Sequence, residues 1–505
     1  MAEERFSDNL SPRQRNLIIW AALLALFLGA LDALIMSAAL PSIVAELGGL
    51  SLYAWVYSAY FLSRALSLPV FGKLADLFGT KKLFLFSISL FVVSSIGAGL
   101  ANSMVFLIFC RVFQGIGAGG NFALVYIVLS EVAPAGRRAQ TLSLGSSIWG
   151  ISSVIGPTLG GVIVSYFSWR WIFFINVPLG ILSLLGIAAF LSESYRRRNK
   201  KGRLDIQGLF LFSSFMLGLL TIFIAGGREI PWNSTAMMIL AAATMVLGVL
   251  FVLAERRTED PMIDLGLFRN RNFTLGNGAI FLASFTIFSF FAYVPLYIQG
   301  SLGRSPMQVG LAMVSLSLGW SAGALFYGRI SSSGSEKLWS MTGGAILLAG
   351  ALMTTRFHLQ TGMAECFFLF LIAGVGMGFV SLATLILVQD SAAEEDLGIV
   401  TSFHQFARSL GGTIGVGICG GLVTTGIFNR LAETVTLLPQ DLIIQLQRSA
   451  EILLQPEFQS RVPPDAREAL GQAVLSGVFS VFYMASLSSL CCLLCCLAMK
   501  KKDAG

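Results

Sequence analysis

Apolar residues fall along this chain in blocks of about twenty, set apart by short polar connectors. A helix of about 20 apolar residues is long enough to cross the hydrocarbon core of a bilayer. Fourteen such spans are counted, at roughly 17–40, 52–72, 82–101, 103–131, 140–166, 171–193, 204–226, 234–254, 271–299, 305–330, 338–356, 362–389, 398–426 and 471–498. Each is expected to be a helix, because lipid offers the backbone no outside hydrogen-bond partner. An even count puts both termini on one side. One connector is unusual: residues 427–470 form a 44-residue loop containing QDLIIQLQRSAEILLQ. Leu442, Leu446 and Leu453 give that stretch an apolar face, so it reads as a short amphipathic helix lying on the outer surface.

Charge then sets the orientation. With both termini cytoplasmic, 23 of the 34 lysines and arginines fall in inner connectors and 8 in outer ones, and Arg64, Arg111 and Arg408 lie inside spans. That bias is the positive-inside pattern. It accounts for the net charge of +7 without a nucleic-acid partner. The composition is 55% hydrophobic and 12% charged, against about 25% charged in soluble domains, so the fold class is an all-α polytopic membrane protein. The start, MAEERFSDNLSPRQRN, does not read as a cleaved signal peptide. The seven cysteines all fall in apolar segments and imply no disulfide framework. The CCLLCC run at 491–496 lacks neighbouring histidines or acids and reads as small hydrophobes, not a metal site. There is no GxxxxGK[ST], no zinc signature and no hydrolase triad. An enzyme is therefore not expected, no cofactor is implied, and transport energy would have to come from an ion gradient.

Span 1, LIIWAALLALFLGALDALIMSAALP, holds one charge, Asp32. A carboxylate at membrane depth costs roughly 2.5–3.5 kcal/mol on insertion scales, so it is a functional candidate by default. Counting from the outer ends of spans 1 and 4, Asp32 and Arg111 lie at about the same depth, roughly 12 Å at 1.5 Å per residue. An interaction, direct or through water, is thus within reach. A permanent structural ion pair is the simpler alternative.

Several motifs accumulate beside this pair: LDALIMSAALP (31–41), GKLADLFGTKK (72–82), RVFQGIGAGG (111–120), GPTLGG (156–161), WRWIFFINVPLG (169–180) and YVPLYIQ (293–299). Together they resemble the major facilitator superfamily, specifically its fourteen-helix drug:proton antiporter branch of EmrB/QacA type, over essentially the whole chain. The resemblance implies a major facilitator fold of two six-helix bundles plus two inserted helices. The units would be 1–203 (N-terminal bundle), 204–270 (inserted pair and linker) and 271–505 (C-terminal bundle with the outer loop). It implies a bacterial inner-membrane protein, with both termini cytoplasmic, that exports lipophilic or cationic compounds against protons through alternating access. Its partners would be the bilayer, a small lipophilic substrate and protons, with a periplasmic adaptor as a further candidate and a monomer as the expected state. A lipid or amphiphile exporter of the same fold, or a non-transporting membrane sensor, are the alternatives.

On that resemblance Asp32 takes up the proton and Arg111 tunes it. A guanidinium favours the charged carboxylate and desolvation opposes it, while arginine itself stays charged. Shifting by eight spans finds no equivalent pair in the second half, so coupling would belong to the first bundle. If it does not rest on Asp32, the next acids to consider are Glu131 and Asp390, with His404. Gly72, Asp76, Gly79 and Lys81 would form a conformational latch. Gly72 and Gly79 permit tight turns, and Asp76 can accept from amides at a neighbouring helix start. Leu77 and Thr80 stand where the family pattern has basic residues. Gly156, Pro157, Gly160 and Gly161 would form a hinge, with small residues allowing close helix approach, although Ser152 replaces a glycine of the fuller motif. SLGGTIGVGICGG (409–421) is its counterpart in span 13. Tyr60, Trp149, Tyr293, Tyr297, His404 and Arg408 are candidates for a cavity wall able to attract cationic substrates, although a lone histidine such as His404 reads first as a hydrogen-bonded core residue. Arg64 is expected to snorkel toward the inner interface.

Overall fold

The computed structural model describes residues 10–47, 53–134, 136–192, 205–226, 230–258, 261, 263–304, 306–331, 335–393, 396–431, 441, 442, 444, 461, 462 and 464–500. It is helical throughout. The rods are α1 (Pro12–Leu47), α2 (Tyr53–Phe78), α3 (Thr80–Gly99), α4 (Met104–Val132), α5 (Arg138–Tyr166), a one-turn α6 (Trp171–Phe174) and α7 (Asn176–Phe190). Then follow α8 (Ile206–Ala225), α9 (Thr235–Glu255), α10 (Arg271–Leu296), α11 (Pro306–Ile330), α12 (Glu336–Thr354), α13 (Met363–Gln389), α14 (Leu397–Leu431) and α15 (Pro464–Ala498).

Each expected span coincides with helix. Among the described residues, twelve helices are long and apolar enough to cross a membrane. The spans at 52–72 and 338–356 are helical as α2 and α12 but fall outside that set. α2 holds Arg64 between Ser63 and Ser67, and α12 has 19 residues with Glu336 and Lys337 in its first turn. The span at 171–193 is broken into α6 and α7. Of the long loop, Leu442 and Val462 pack in the core of the C-terminal helices, and Arg461 pairs with Asp441. Leu446, Leu453 and most of the expected amphipathic stretch lie outside the described residues.

α1 packs on α4, α5 and α7, with α2 and α3 against α4. The later helices repeat the theme: α10 packs on α13, α14 and α15, α13 on α11 and α12, and α15 on α12 and α14. The two groups meet along α5–α11 and α2–α14. The α8–α9 hairpin lies on the second seam, where α8 touches both α14 and α2.

Both ends of the described chain lie on one side, called here the basic side. Leu10 packs in a cluster with Ile187, Leu191 and Ile263. The Lys500 backbone N–H donates to Asn272 Oδ1 at 2.8 Å, at the start of α10.

On the far side, Glu46 accepts from Arg170 Nη1 at 2.5 Å and from Trp169 Nε1 at 2.7 Å, tying the end of α1 to the turn before α6. Those bonds hold the Glu46 carboxyl below the usual carboxylate range. A carboxylate with a depressed folded value contributes stability that is present above its unfolded pKa and lost as pH falls through the folded value. Trp169 emission should therefore be constant at neutral pH and shift only in acid below the ordinary carboxylate range. In Glu46→Gln that transition should disappear. A transition that survives the substitution would assign it to another group.

Candidate functional site

Three features converge at the seam: a buried ion pair, a closure on the basic side, and a cavity at mid-depth. The ion pair depends on how closely α4 lies against α2. A Cβ at Gly115 would sit 2.4 Å from the Tyr60 carbonyl, and one at Gly119 would sit 2.4 Å from that of Arg64. Small residues here let the backbones touch and bring Tyr60 under Arg111.

Asp32 and Arg111 are both fully buried. Arg111 Nη1 donates to Asp32 Oδ2 at 2.6 Å and to Gln114 Oε1 at 2.9 Å. Gln114 Nε2 donates to Asp32 Oδ1 at 2.9 Å and to Ser95 Oγ at 2.8 Å. Asn176 Nδ2 reaches Asp32 Oδ1 at 3.2 Å. Arg111 Nε donates to the Val56 carbonyl at 3.3 Å, and the guanidinium lies 4.1 Å from the Tyr60 ring centroid. Tyr60 in turn donates to the Gly29 carbonyl at 3.2 Å. Arg111 Nη2 is buried without a hydrogen-bond partner among the described residues. The carboxylate therefore accepts three bonds from α4 and α7, one on Oδ2 and two on Oδ1. Every one of those donors except Arg111 is neutral.

The closure on the basic side is built on the first turn of α14. Asp76 accepts from the Gly398 N–H at 3.1 Å and the Ile399 N–H at 2.9 Å. The first amides of a helix have no intrahelical partner, and the dipole there favours an anion. The approach is tight: a Cβ at Gly72 would lie 2.4 Å from Ser402 Oγ and 2.8 Å from the Gly398 carbonyl. α2 ends at Gly79, whose φ of 88° suits glycine. Lys81 Nζ donates to the Ala188 carbonyl at 2.8 Å, and Lys73 Nζ to that of Pro261 at 2.6 Å. Two further contacts join the groups on this side. Arg138 Nη1 lies 3.2 Å from Asp390 Oδ1, and Ser130 donates to Gln389 Oε1 at 3.3 Å. Midway along α5, Ser321 Oγ donates to the Ser146 carbonyl at 2.9 Å. At the far ends of α5 and α11, by contrast, a Cβ at Gly161 or Gly310 would meet no atom within 4 Å.

Between these levels lies a cavity of about 500 Å³, within the range of small-molecule sites. Its wall is largely apolar, with aromatic rings from Phe61, Trp149, Phe223, Phe288, Phe291 and Trp320, and Ala33 and Leu34 bring α1 into it directly after Asp32. Two cations also line it, Arg64 of α2 and Arg408 of α14. Their guanidinium carbons lie 4.7 and 4.6 Å from one ring centroid, that of Phe122.

A protein-family model described as the Major Facilitator Superfamily matches residues 22–416. The chain belongs to the Major Facilitator Superfamily. Among curated relatives of this superfamily member, the multidrug transporter protein MdtP of Bacillus subtilis is 31% identical over 94% of this chain and 89% of that protein. Multidrug resistance protein 3 of the same organism is 28% identical over 93% of this chain and 92% of that protein. Efflux pump dotC of Dothistroma septosporum is 29% identical over 96% and 84% of the two chains. Among solved structures, that of the human organic anion transporter MFSD10 (TETRAN) matches with a TM-score of 0.59 at 14% identity, over 94% of this chain and 100% of that one. It supports the fold. Membership makes the protein a membrane transporter rather than an enzyme.

The superfamily fold separates the residues proposed for the cavity. Trp149 and Arg408 line it. The other four are not among the residues that line it, and each meets a partner in its own bundle; for His404 this is the hydrogen-bonded core position that a lone histidine in such a helix suggests. Tyr60 lies beneath Arg111, and Tyr293 donates to the Val416 carbonyl at 2.7 Å. Tyr297 stacks on Phe357 and donates to the His358 carbonyl at 2.8 Å. His404 is fully buried with Nε2 2.9 Å from Thr384 Oγ1. Arg64 does not snorkel to the interface; it faces the cavity under Trp149, 5.2 Å from that ring. Of the hinge motif, Gly156 packs on α1, with a Cβ there 2.9 Å from Leu34 Cβ, Gly160 is buried and Gly161 is open. The Pro157 side chain lies outside the described residues. Cys492 and Cys496 are buried in α15, and no cluster of His, Cys, Asp or Glu suited to a metal occurs among the described residues.

Sequence reasoning missed Gln114, Asn176 and Ser95. Gln114 carried a usable signal, standing three residues after Arg111 and so on the same helix face. Asn176 opens α7 within the INVP sequence, a lone amide among apolar neighbours.

Proposed function

We propose that this transporter exports lipophilic drugs across a bacterial inner membrane in exchange for protons, by alternating access between bundles spanning 1–203 and 271–505. Fourteen helices would cross the membrane, with the basic side in the cytoplasm. Residues 204–270 would supply the inserted pair. The names of the curated relatives support drug export. The observation that carries the coupling is the buried Asp32–Arg111 pair, 2.6 Å long and one residue from the cavity wall.

Protonation of Asp32 discharges its carboxylate and breaks the ion pair. Gln114 and Asn176 still hold the carboxyl in place, and Arg111 keeps Gln114 Oε1 and the Tyr60 ring. The altered attraction acts on α1, whose next residues touch substrate. Gly72, Asp76, Gly79 and Lys81 serve as the latch, and the 156–161 motif as the flexing element of α5. Closure on the basic side with open space near Gly161 and Gly310 corresponds to a cavity facing outward.

Purified protein in proteoliposomes tests the reading. Acid imposed on the far side should drive a fluorescent lipophilic drug toward that side. Reversing the gradient should reverse the flow, and a protonophore should stop it. Drug movement indifferent to the sign of the gradient would overturn proton exchange.

A further inference from the structure

The cavity is positively charged, and both tryptophans in its wall already carry an arginine. Arg64 and Arg408 line it and are 7% and 5% exposed. Neither has an ion-pair partner among the described residues. Their guanidinium groups rest instead on rings. Arg64 covers Phe122 and Trp149, and Arg408 covers Phe122, Tyr126 and Trp320. Sharing the Phe122 ring keeps the two cations within the sum of their distances to it.

Among the described residues no carboxylate pairs with either of them, and Asp32 acts on Arg64 only at a distance. The walls come from α1, α2, α5, α8, α10, α11 and α14. Away from the ends of those helices the sequence holds one carboxylate, Asp32. Both its oxygens are engaged by Arg111, Gln114 and Asn176. A buried guanidinium without an anion is costly, and two close together also repel. A cationic substrate would bring a third positive charge into the same chamber. It would also have to displace Arg64 or Arg408 to reach Trp149 or Trp320, the rings that attract cations best.

We propose that the cavity recognises an amphiphilic anion, a flat aromatic or otherwise lipophilic body bearing a carboxylate or sulfonate. The acid group sits between Arg64 and Arg408, each offering a planar fork matched to a carboxylate. The body lies against Phe61, Phe288, Phe291 and Leu34. This inference names the substrate class of the transport site and rests on that reading.

The test uses two probes with one aromatic body and opposite charge, anthracene-9-carboxylate and (anthracen-9-ylmethyl)trimethylammonium. Binding to the full-length protein in nanodiscs is followed by energy transfer from tryptophan, since Trp149 and Trp320 stand in the wall. The carboxylate should bind at least tenfold more tightly than the ammonium in the unmodified protein, a comparison that needs no variant to fold. Arg64→Gln and Arg408→Gln should each weaken the carboxylate by a similar factor without weakening the ammonium. Arg64→Lys and Arg408→Lys should restore part of the loss. Equal or tighter binding of the ammonium, or unchanged carboxylate binding in both glutamine variants, would overturn the proposal. Gradient-driven transport with a preference for the cation would sink this inference alone. Carboxylate preference without gradient-driven transport would sink the transport reading and leave the binding site standing.

Discussion

Asp32→Asn is expected to abolish substrate-driven proton movement while leaving substrate binding in place. Asparagine has the same shape and can keep one acceptor toward Arg111 or toward Gln114 and Asn176. It cannot carry a proton and a charge in turn. The cavity wall loses nothing, because Ala33 and Leu34, not Asp32, reach the substrate space. The cost appears in stability. Removing one partner of a buried ion pair destabilises by about 3–5 kcal/mol. Here the low end applies, since Gln114 Oε1 at 2.9 Å and the Tyr60 ring at 4.1 Å still accommodate Arg111. The measurement is proton flux in proteoliposomes beside binding and thermal unfolding of the same preparation. Coupled flux at the unmodified rate in Asp32→Asn would remove this residue from the mechanism and direct attention to Glu131 and Asp390.

Gly72→Leu should hold the basic side open and stop transport. Ser402 can rotate its hydroxyl away from a new Cβ, but its own Cβ, 2.5 Å from that position, and the Gly398 carbonyl, 2.8 Å away, are fixed by the backbone. The reporter is hydrogen exchange at Gly398 and Ile399. These amides open α14 and have no partner within their own helix, so their protection depends on Asp76. A hydrogen bond to a charged group contributes about 1.5–3 kcal/mol. Its loss should therefore speed exchange by roughly ten- to a hundredfold. Asp76→Asn should raise the rate less, because its amide oxygen still accepts. Unchanged protection together with intact transport in Gly72→Leu would mean that the closure is not part of the cycle.

What the sequence revealed and what it hid differ by dimension. Depth along a helix is a count, and counting put Asp32 and Arg111 level. Direction around the helix is not a count. In soluble helices the apolar stripe gives that direction, but these helices are apolar on nearly every face, toward lipid and toward neighbours alike. Tyr293 and Tyr297 are cavity candidates by residue type alone, and His404 by type against a core reading. They point elsewhere because Val416, Phe357 and Thr384 meet them inside the bundle. Arg64 was misread for the same reason, since its long stem could have reached the interface. The twelve helices of membrane length were legible from hydropathy alone. α2 and α12 were counted as apolar blocks on the same footing, although they fall outside the set of twelve.

The Asp76 contact has a consequence for heredity. Its donors are main-chain amides, which every residue except proline supplies equally. Mutation at 398 or 399 can therefore neither compensate nor mimic a change at 76 through hydrogen bonding. Glycine at 398 is held by space whatever stands at 76, because a Cβ there would lie 2.8 Å from the Gly72 carbonyl. A search for positions that change together across descendants of this gene should find nothing linking 76 to 398 and 399, although their atoms touch. Suppressors of damage at Asp76 should arise instead where helices can be shifted bodily, along the seams of α2 with α14 and α5 with α11.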